Sequence, residues 1–344
     1  MKVAVLSPVW FPVPPTGYGG IEWVVSLLAD GLVEAGHDVT LFASGDSRTK
    51  ATLACVYDVA PSAEIGRAQV EIHHALACFE RAGEFDVIND HSGPPAAVIA
   101  GAVATPTLHT VHGPLLGEAG EVYEQVARVS PRTGLISISM NQRAPHPDLP
   151  WAANVPNALD FSFYPVQPRR GDYFLFLGRM NPEKGAHRAV AVAMEAGVPL
   201  KLAGKKREPA ELRYFQEYVE PHLRDGQIEY LGEVSHGEKV ELLQDARATL
   251  FPVDWEEPFG LVMIESMACG TPVIATRRGS VPEVVEHGRT GLIVDDYRGM
   301  AGAIEAADEL DPADLRRAAE ERFARSRMVD DYVAAYERAI ELAG

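Results

Sequence analysis

The sequence predicts an α/β protein of two domains, each a doubly wound parallel sheet with helices on both faces. Three observations predict it. Short continuous apolar runs, typical of strands buried on both faces, alternate with stretches of helical period through both halves of the chain. Residues 165–171, with Pro168, Arg169 and Arg170, lack apolar periodicity and read as a linker between the halves. The chain's 344 residues are enough for two cores of ordinary size.

The first half opens with the apolar run Val3 to Ser7, a buried strand, and a Pro/Gly-rich loop to Gly20. Val24, Val25, Leu28 and Leu32 then line one face of a helix over 21–35 that Gly36 stops, and His37 to Ala43 is the second strand. Strand, glycine-rich loop, helix, strand is the unit whose helix start binds anions in doubly wound folds. Its glycines, Gly17, Gly19 and Gly20, are not the spaced set of dinucleotide enzymes, and no P-loop lysine follows. Further strands are expected at 86–89, 107–111 and 134–139, with a helix at 95–104 and loops at 128–131 and 145–150. Loops leaving the carboxyl ends of such strands face the ligand, which selects Asp90-His91 and His112-Gly113. His73 and His74, beside Glu71 and Glu80 in a helical stretch, are expected on a solvated face.

The second half repeats the alternation, with strands at 172–178, 199–203, 227–231, 248–253, 272–275 and 292–294. Helices are expected at 186–196, 209–223 and 238–246, and a last amphipathic one at 328–340. Arg179 and Lys184 stand five residues apart directly after the first of these strands, where they could neutralise a diphosphate. Lys205-Lys206-Arg207 follows the next strand and could be either a ligand contact or a solvated charge run. Trp255 to Glu265 reads as an acidic loop and a short helix opening near Pro258. Glu257 precedes that helix and Glu265 lies inside it, while Gly260 lets a ligand approach the free N–H groups of Leu261 and Val262. Such a place suits an anion flanked by hydroxyl-rich groups.

Composition narrows the function classes. A hydrophobic fraction of 47% and a charged fraction of 23% are those of a soluble globular protein. The net charge of −18, shared evenly between the halves, argues against nucleic acid and anionic lipid as partners. Cys55, Cys78 and Cys269 form no paired motif, which favours small buried apolar roles, a reducing compartment and no structural zinc. The first apolar run is broken by Ser7, Pro8, Pro12, Pro14 and Pro15, and the run 96–104 is too short to span a bilayer, so a cytoplasmic protein is expected.

Glu257, seven residues, Glu265, with Pro258-Phe259-Gly260 after the first glutamate and Ala268-Cys269-Gly270-Thr271-Pro272-Val273-Ile274-Ala275 after the second, resembles the nucleotide-sugar site of family 4 retaining glycosyltransferases with the GT-B fold. Gly19-Gly20-Ile21-Glu22, Gly36-His37-Asp38-Val39, Asn154 to Ala158, Gly279 to Val285 and Gly288 to Val294 extend the likeness over nearly the whole chain. The resemblance implies an acceptor-side domain at 1–165, a donor domain at 166–325, a cleft between them, and a final helix at 326–344 crossing back to the first domain.

It further implies that Arg179, Lys184, the Gly19-Gly20 turn and the Phe259-Gly260-Leu261-Val262 stretch hold the donor diphosphate. By the same likeness Glu257 orients sugar hydroxyls, Glu265 takes the ribose, and His112 meets the transferred sugar. The expected reaction is metal-independent front-face transfer of a hexose, with UDP-glucose the first choice of donor and no cofactor. No Asp-x-Asp occurs in the chain, which removes the usual reason to expect a divalent ion. The stretch 63–82 carries two arginines against three glutamates, unlike the basic helix of relatives that work on lipid, so a soluble small-molecule acceptor is expected. A sugar-nucleotide 2-epimerase of the same fold and a non-catalytic nucleotide-sugar-binding protein are the alternatives. Oligomeric state and a contact from His91 are left open.

Overall fold

A computed structural model describes residues 1–17, 19–167, 171–224 and 226–343; Tyr18 and the Pro168-Arg169-Arg170 part of the expected linker lie outside the described residues. The chain forms two compact units, Met1–Ala158 with Arg325–Gly344, and Leu159–Ala324.

The N-terminal unit is built on a seven-stranded parallel sheet in the order β3-β2-β1-β4-β5-β6-β7. Its strands are β1 (Lys2–Leu6), β2 (Asp38–Phe42), β3 (Thr52–Ala54), β4 (Val87–Asp90), β5 (Thr107–Thr110), β6 (Thr133–Ser137) and β7 (Trp151–Asn154). The order reverses at β1, which pairs with β2 through Leu6 and Phe42 and with β4 through Leu6 and Asp90. That reversal is where open parallel sheets present a crevice beyond their strand ends. Both edge strands, β3 and β7, escape the apolar-run criterion because they are short and only partly buried.

The helices Gly20–Glu34, Ala68–Phe79, Pro94–Ile99, Glu118–Val129 and Arg325–Ala343 complete this unit. Glu118–Val129 corrects the loop expected at 128–131, because it takes in Arg128 and Val129. Only Gly120, Tyr123 and Val126 of this helix are buried, a stripe too thin to announce itself. The last helix buries Met328, Val329, Tyr332, Ala335 and Tyr336, one face at helical spacing. Gly31 permits the close approach of the first helix to the last: a Cβ there would stand 2.5 Å from Val329 Cγ2.

His74 is buried, not solvated, and its Nε2 faces the Ser7 carbonyl at 3.0 Å; burial lowers its pKa to about 4. His73 next to it is exposed, since adjacent helical positions point about 100° apart. Cys78 and Cys269 are buried, but Cys55 is exposed, which corrects that part of the cysteine reading.

The C-terminal unit carries a six-stranded parallel sheet in the order β10-β9-β8-β11-β12-β13. The strands are β8 (Tyr173–Leu177), β9 (Leu200–Ala203), β10 (Ile228–Tyr230), β11 (Ala246–Phe251), β12 (Val273–Thr276) and β13 (Gly291–Val294). The first of these is buried throughout, and the order reverses there between β9 and β11. Phe174, Phe176, Leu200, Leu202, Phe215 and Leu250 centre one layer of the core. Helix His236–Asp245 is opened by a capping box between Ser235 and Glu238 and passes straight into β11. Among the described residues no helix is long and apolar enough to cross a membrane.

Candidate functional site

In the C-terminal unit the loops leaving β8, β9 and β11 are locked together by glycines. Gly204, at φ +146°, lies so close to the loop after β8 that a Cβ would stand 1.9 Å from the Gly178 carbonyl oxygen. Met180 N–H donates to the Lys205 carbonyl at 2.9 Å across the same contact. Gly185, at φ +83°, precedes helix Ala186–Ala196, and a Cβ there would meet the Pro252 carbonyl oxygen at 2.4 Å. Only glycine allows both the backbone turn and the contact. The consequence is that Lys184 is delivered to the loop after β11.

There the Lys184 ammonium pairs with the carboxylate of Glu257 and lies 4.8 Å from the centre of the Trp255 ring. Trp255 Nε1–H donates to the same Glu257 carboxylate at 2.9 Å. Two donors on one buried carboxylate fix its orientation. The loop is clamped from behind, where Ser280 N–H donates to the Glu257 carbonyl at 2.9 Å and Ser280 Oγ to the Phe259 carbonyl at 2.8 Å. Arg179 is half-buried, and among the described residues nothing pairs with its guanidinium.

The short helix is Leu261–Ala268, with Gly260 at φ +80° before it. It does not open near Pro258, because the left-handed turn at Gly260 keeps Pro258 and Phe259 in the preceding loop. The Phe259 ring is buried edge-on to Phe323, with 5.8 Å between ring centres, so only its backbone is left for a ligand. No side chain caps the helix, and the N–H groups of Leu261 and Val262 have no intrahelical partner. Glu265, buried in the second turn, pairs with the Lys239 ammonium and accepts from Tyr164 Oη–H at 3.1 Å. Burial, and then the Glu265 charge, push the Tyr164 phenol far above its ordinary pKa. Neither partner was legible in the sequence, since no motif ties Lys239 or Tyr164 to Glu265.

The basic cluster after β9 has partners within the chain. Lys205 pairs with Glu208, Lys206 lies 3.6 Å from the centre of the Phe215 ring, and Arg207 pairs with Glu233.

In the N-terminal unit Gly19 precedes helix Gly20–Glu34 at φ +153°, and a Cβ on it would meet Pro15 Cβ at 2.7 Å and Glu22 Oε2 at 2.9 Å. Glu22, read only as part of a motif, is buried beside this turn, and burial raises its pKa to about 7. His112, half-buried, follows β5, and its Nε2 meets His91 Nδ1 at 2.9 Å. His91 Nε2 in turn meets Asn89 Oδ1 at 2.9 Å. Desolvation lowers His112 to about 3 and His91 well below its ordinary value. Asp90 holds His109 at 2.5 Å, and His109 contacts the Tyr123 hydroxyl at 2.8 Å. Asp90 is therefore a buried side chain tied into the fold rather than an exposed ligand.

Comparison with known proteins bears on both units. The family described as Glycosyl transferases group 1 matches residues 163–322, and that described as Glycosyltransferase Family 4 matches residues 18–149. The chain belongs to the GT-B glycosyltransferases of family 4 type. This glycosyltransferase is similar to the glycogen synthase of Mycobacterium tuberculosis, 27% identical over 93% of this chain and 89% of the relative. Among solved structures it is similar to a glycosyltransferase involved in avilamycin A biosynthesis, with TM-score 0.72 and 28% identity over 99% of this chain and 98% of that one. An Anabaena protein, HepE, in complex with UDP and glucose shares the fold at TM-score 0.76 and 18% identity, over 98% of this chain and 100% of that one. The group 1 match contains Arg179, Lys184, Glu257 and Glu265, and the Family 4 match, from residue 18, contains the Gly19-Gly20 turn and His112.

Proposed function

We propose that this glycosyltransferase moves a hexose, glucose by first choice, from a nucleoside diphosphate sugar to a soluble small-molecule acceptor, with retention at the anomeric carbon and without a metal. The observation that carries the reading is the arrangement at the reversal of the C-terminal sheet. A half-buried Arg179 that nothing pairs with among the described residues, a Lys184 steered to Glu257, and an uncapped helix start at Leu261 belong to neighbouring strand-end loops. Breaking the bond between sugar and phosphate leaves negative charge on the diphosphate, and fixed cations with backbone N–H groups stabilise such charge. Arg179 would bind phosphate oxygens through its planar fork, and Lys184 as a point charge that still keeps Glu257 in place.

Glu257, tied by Lys184 and Trp255, is suited to accept hydrogen bonds from sugar hydroxyls rather than to attack carbon. In support of front-face substitution, the departing phosphate can itself take the acceptor's proton, so retention needs no carboxylate on the sugar's far face. Glu265, with Lys239 and Tyr164 already on it, would accept from the ribose hydroxyls. By the family likeness His112 and the Gly19-Gly20 turn are further donor contacts. UDP-glucose as donor draws support from the HepE complex with UDP and glucose, and a soluble small acceptor from the weakly charged stretch 63–82, with two arginines against three glutamates.

Incubation with a panel of nucleotide sugars, with and without candidate acceptors, tests this directly. Release of nucleoside diphosphate that depends on an acceptor is expected. A changed sugar still attached to nucleotide would mean an epimerase, and binding without turnover a non-catalytic protein; either result overturns the proposal.

A further inference from the structure

The side chains behind His112 decide which of its ring nitrogens carries hydrogen. The Leu108 carbonyl can only accept. Asn89 meets it at 3.1 Å, so the Asn89 amide nitrogen must face it, and the same NH2 group donates its second hydrogen to Thr110 Oγ1 at 3.2 Å. Asn89 Oδ1 therefore points the other way, where it accepts from the Tyr336 hydroxyl at 2.7 Å. The same oxygen faces His91 Nε2 at 2.9 Å, so that nitrogen bears the hydrogen.

His91 is almost fully buried, and Asp90, the neighbouring carboxylate, is taken by His109, Ser92 N–H and Ser92 Oγ–H. With no anion to itself, His91 stays neutral and its Nδ1 is a lone pair. His112 Nε2, 2.9 Å away, must then donate to it. Burial keeps His112 neutral too, so its remaining nitrogen, Nδ1, carries no hydrogen. Among the described residues Nδ1 has no partner, and the residue is only half-buried.

We propose that His112 is held by a relay of Tyr336, Asn89 and His91 as a neutral hydrogen-bond acceptor, so that it selects a ligand group that donates, namely a hydroxyl. Its identification with a hydroxyl of the transferred sugar rests on the function proposed above; the fixed tautomer does not. Asn89, His91 and Tyr336 are positioning residues, and Tyr336 gives the last helix a part in the chemistry of the N-terminal unit. A fluorine, an ether oxygen or an unprotonated phosphate oxygen at that place would face a lone pair with nothing to donate.

The test is a nitrogen–proton correlation spectrum of the full chain labelled with 15N-histidine, at neutral pH and without ligand, with His112 assigned from the signals lost in His112→Gln. His112 is expected as the neutral tautomer protonated at Nε2, with an unprotonated Nδ1. A hydrogen on Nδ1, or a charged ring, would overturn the proposal. Removing the relay with His91→Phe should let both tautomers exchange, while burial still holds the ring neutral. It should also lower kcat about tenfold, on the scale of one misplaced hydrogen bond, with a smaller change in donor KM. If that variant does not fold, Tyr336→Phe keeps the ring and removes only the first donor, with a loss of about threefold expected. A confirmed tautomer without any sugar transfer would leave the relay standing and reject the function; transfer with the wrong tautomer would do the reverse.

Discussion

At the carboxyl ends of the N-terminal sheet the polar side chains around His112 are interlocked by hydrogen bonds. Tyr336 and His91 both donate to Asn89 Oδ1 and His112 donates to His91, a set of neutral groups beside the buried Asp90–His109 contact. At the corresponding ends of the C-terminal sheet the groups form ion pairs between separate elements, Lys184 with Glu257 from two loops and Lys239 with Glu265 from two helices. Two sheets of the same architecture thus prepare for different chemistry. Neutral directional groups discriminate hydroxyls, whereas half-buried cations receive phosphate, and a transferase of sugar from nucleotide needs both.

The sharpest way to break this contrast is to remove one of the two cations proposed to receive the leaving group. Lys184→Ala should lower turnover about 10²-fold or more, and near-normal kcat in a coupled diphosphate-release assay would remove the electrostatic role of that loop. Glu22 tests the neutral side through pH. Its carboxyl is raised from 4.5 to about 7 by burial, so its contribution to stability is complete below pH 4.5 and is lost as pH rises through 7. Denaturant titrations from pH 4.5 to 8 should therefore show a loss in the wild type, relative to Glu22→Gln, on the order of 3 kcal/mol. Equal pH profiles would mean that Glu22 ionises normally.

Gly260→Ala probes the turn that frees the helix start. At φ +80°, with Met263 Cε 2.7 Å from the new Cβ, it should cost about 1–2 kcal/mol in thermal or chemical unfolding. An unchanged midpoint would show that the turn is not strained. Arg207→Ala should have the smallest effect, below about 0.5 kcal/mol, because its pair with Glu233 is largely solvated. A clear loss of donor affinity in that variant would instead move the basic cluster into the phosphate site.

Much of the fold was legible because both sheets are parallel and their central strands are unbroken apolar runs, as at Val3–Leu6 and Tyr173–Leu177. What escaped were elements stabilised by tertiary packing, such as β3, β7 and the helix Glu118–Val129. The same division holds at the candidate site. Lys184 and Glu257 lie on loops with local motifs, but Tyr164 meets Glu265 across 101 residues and Tyr336 meets Asn89 across 247. Contacts of that range have no sequence period, and a buried tyrosine on a helix reads simply as core. His74 misled for the same reason, since its burial is set by the Ser7 carbonyl of β1's trailing loop.

The most direct measurement is calorimetric titration of UDP into the wild type, Arg179→Ala and Lys184→Ala in buffer containing a chelator. UDP should bind the wild type without a divalent ion and lose about tenfold or more in affinity in each variant, as expected for a charge-assisted hydrogen bond removed from a phosphate. Equal affinity in all three proteins, or binding by the wild type only after a divalent ion is added, would contradict the account.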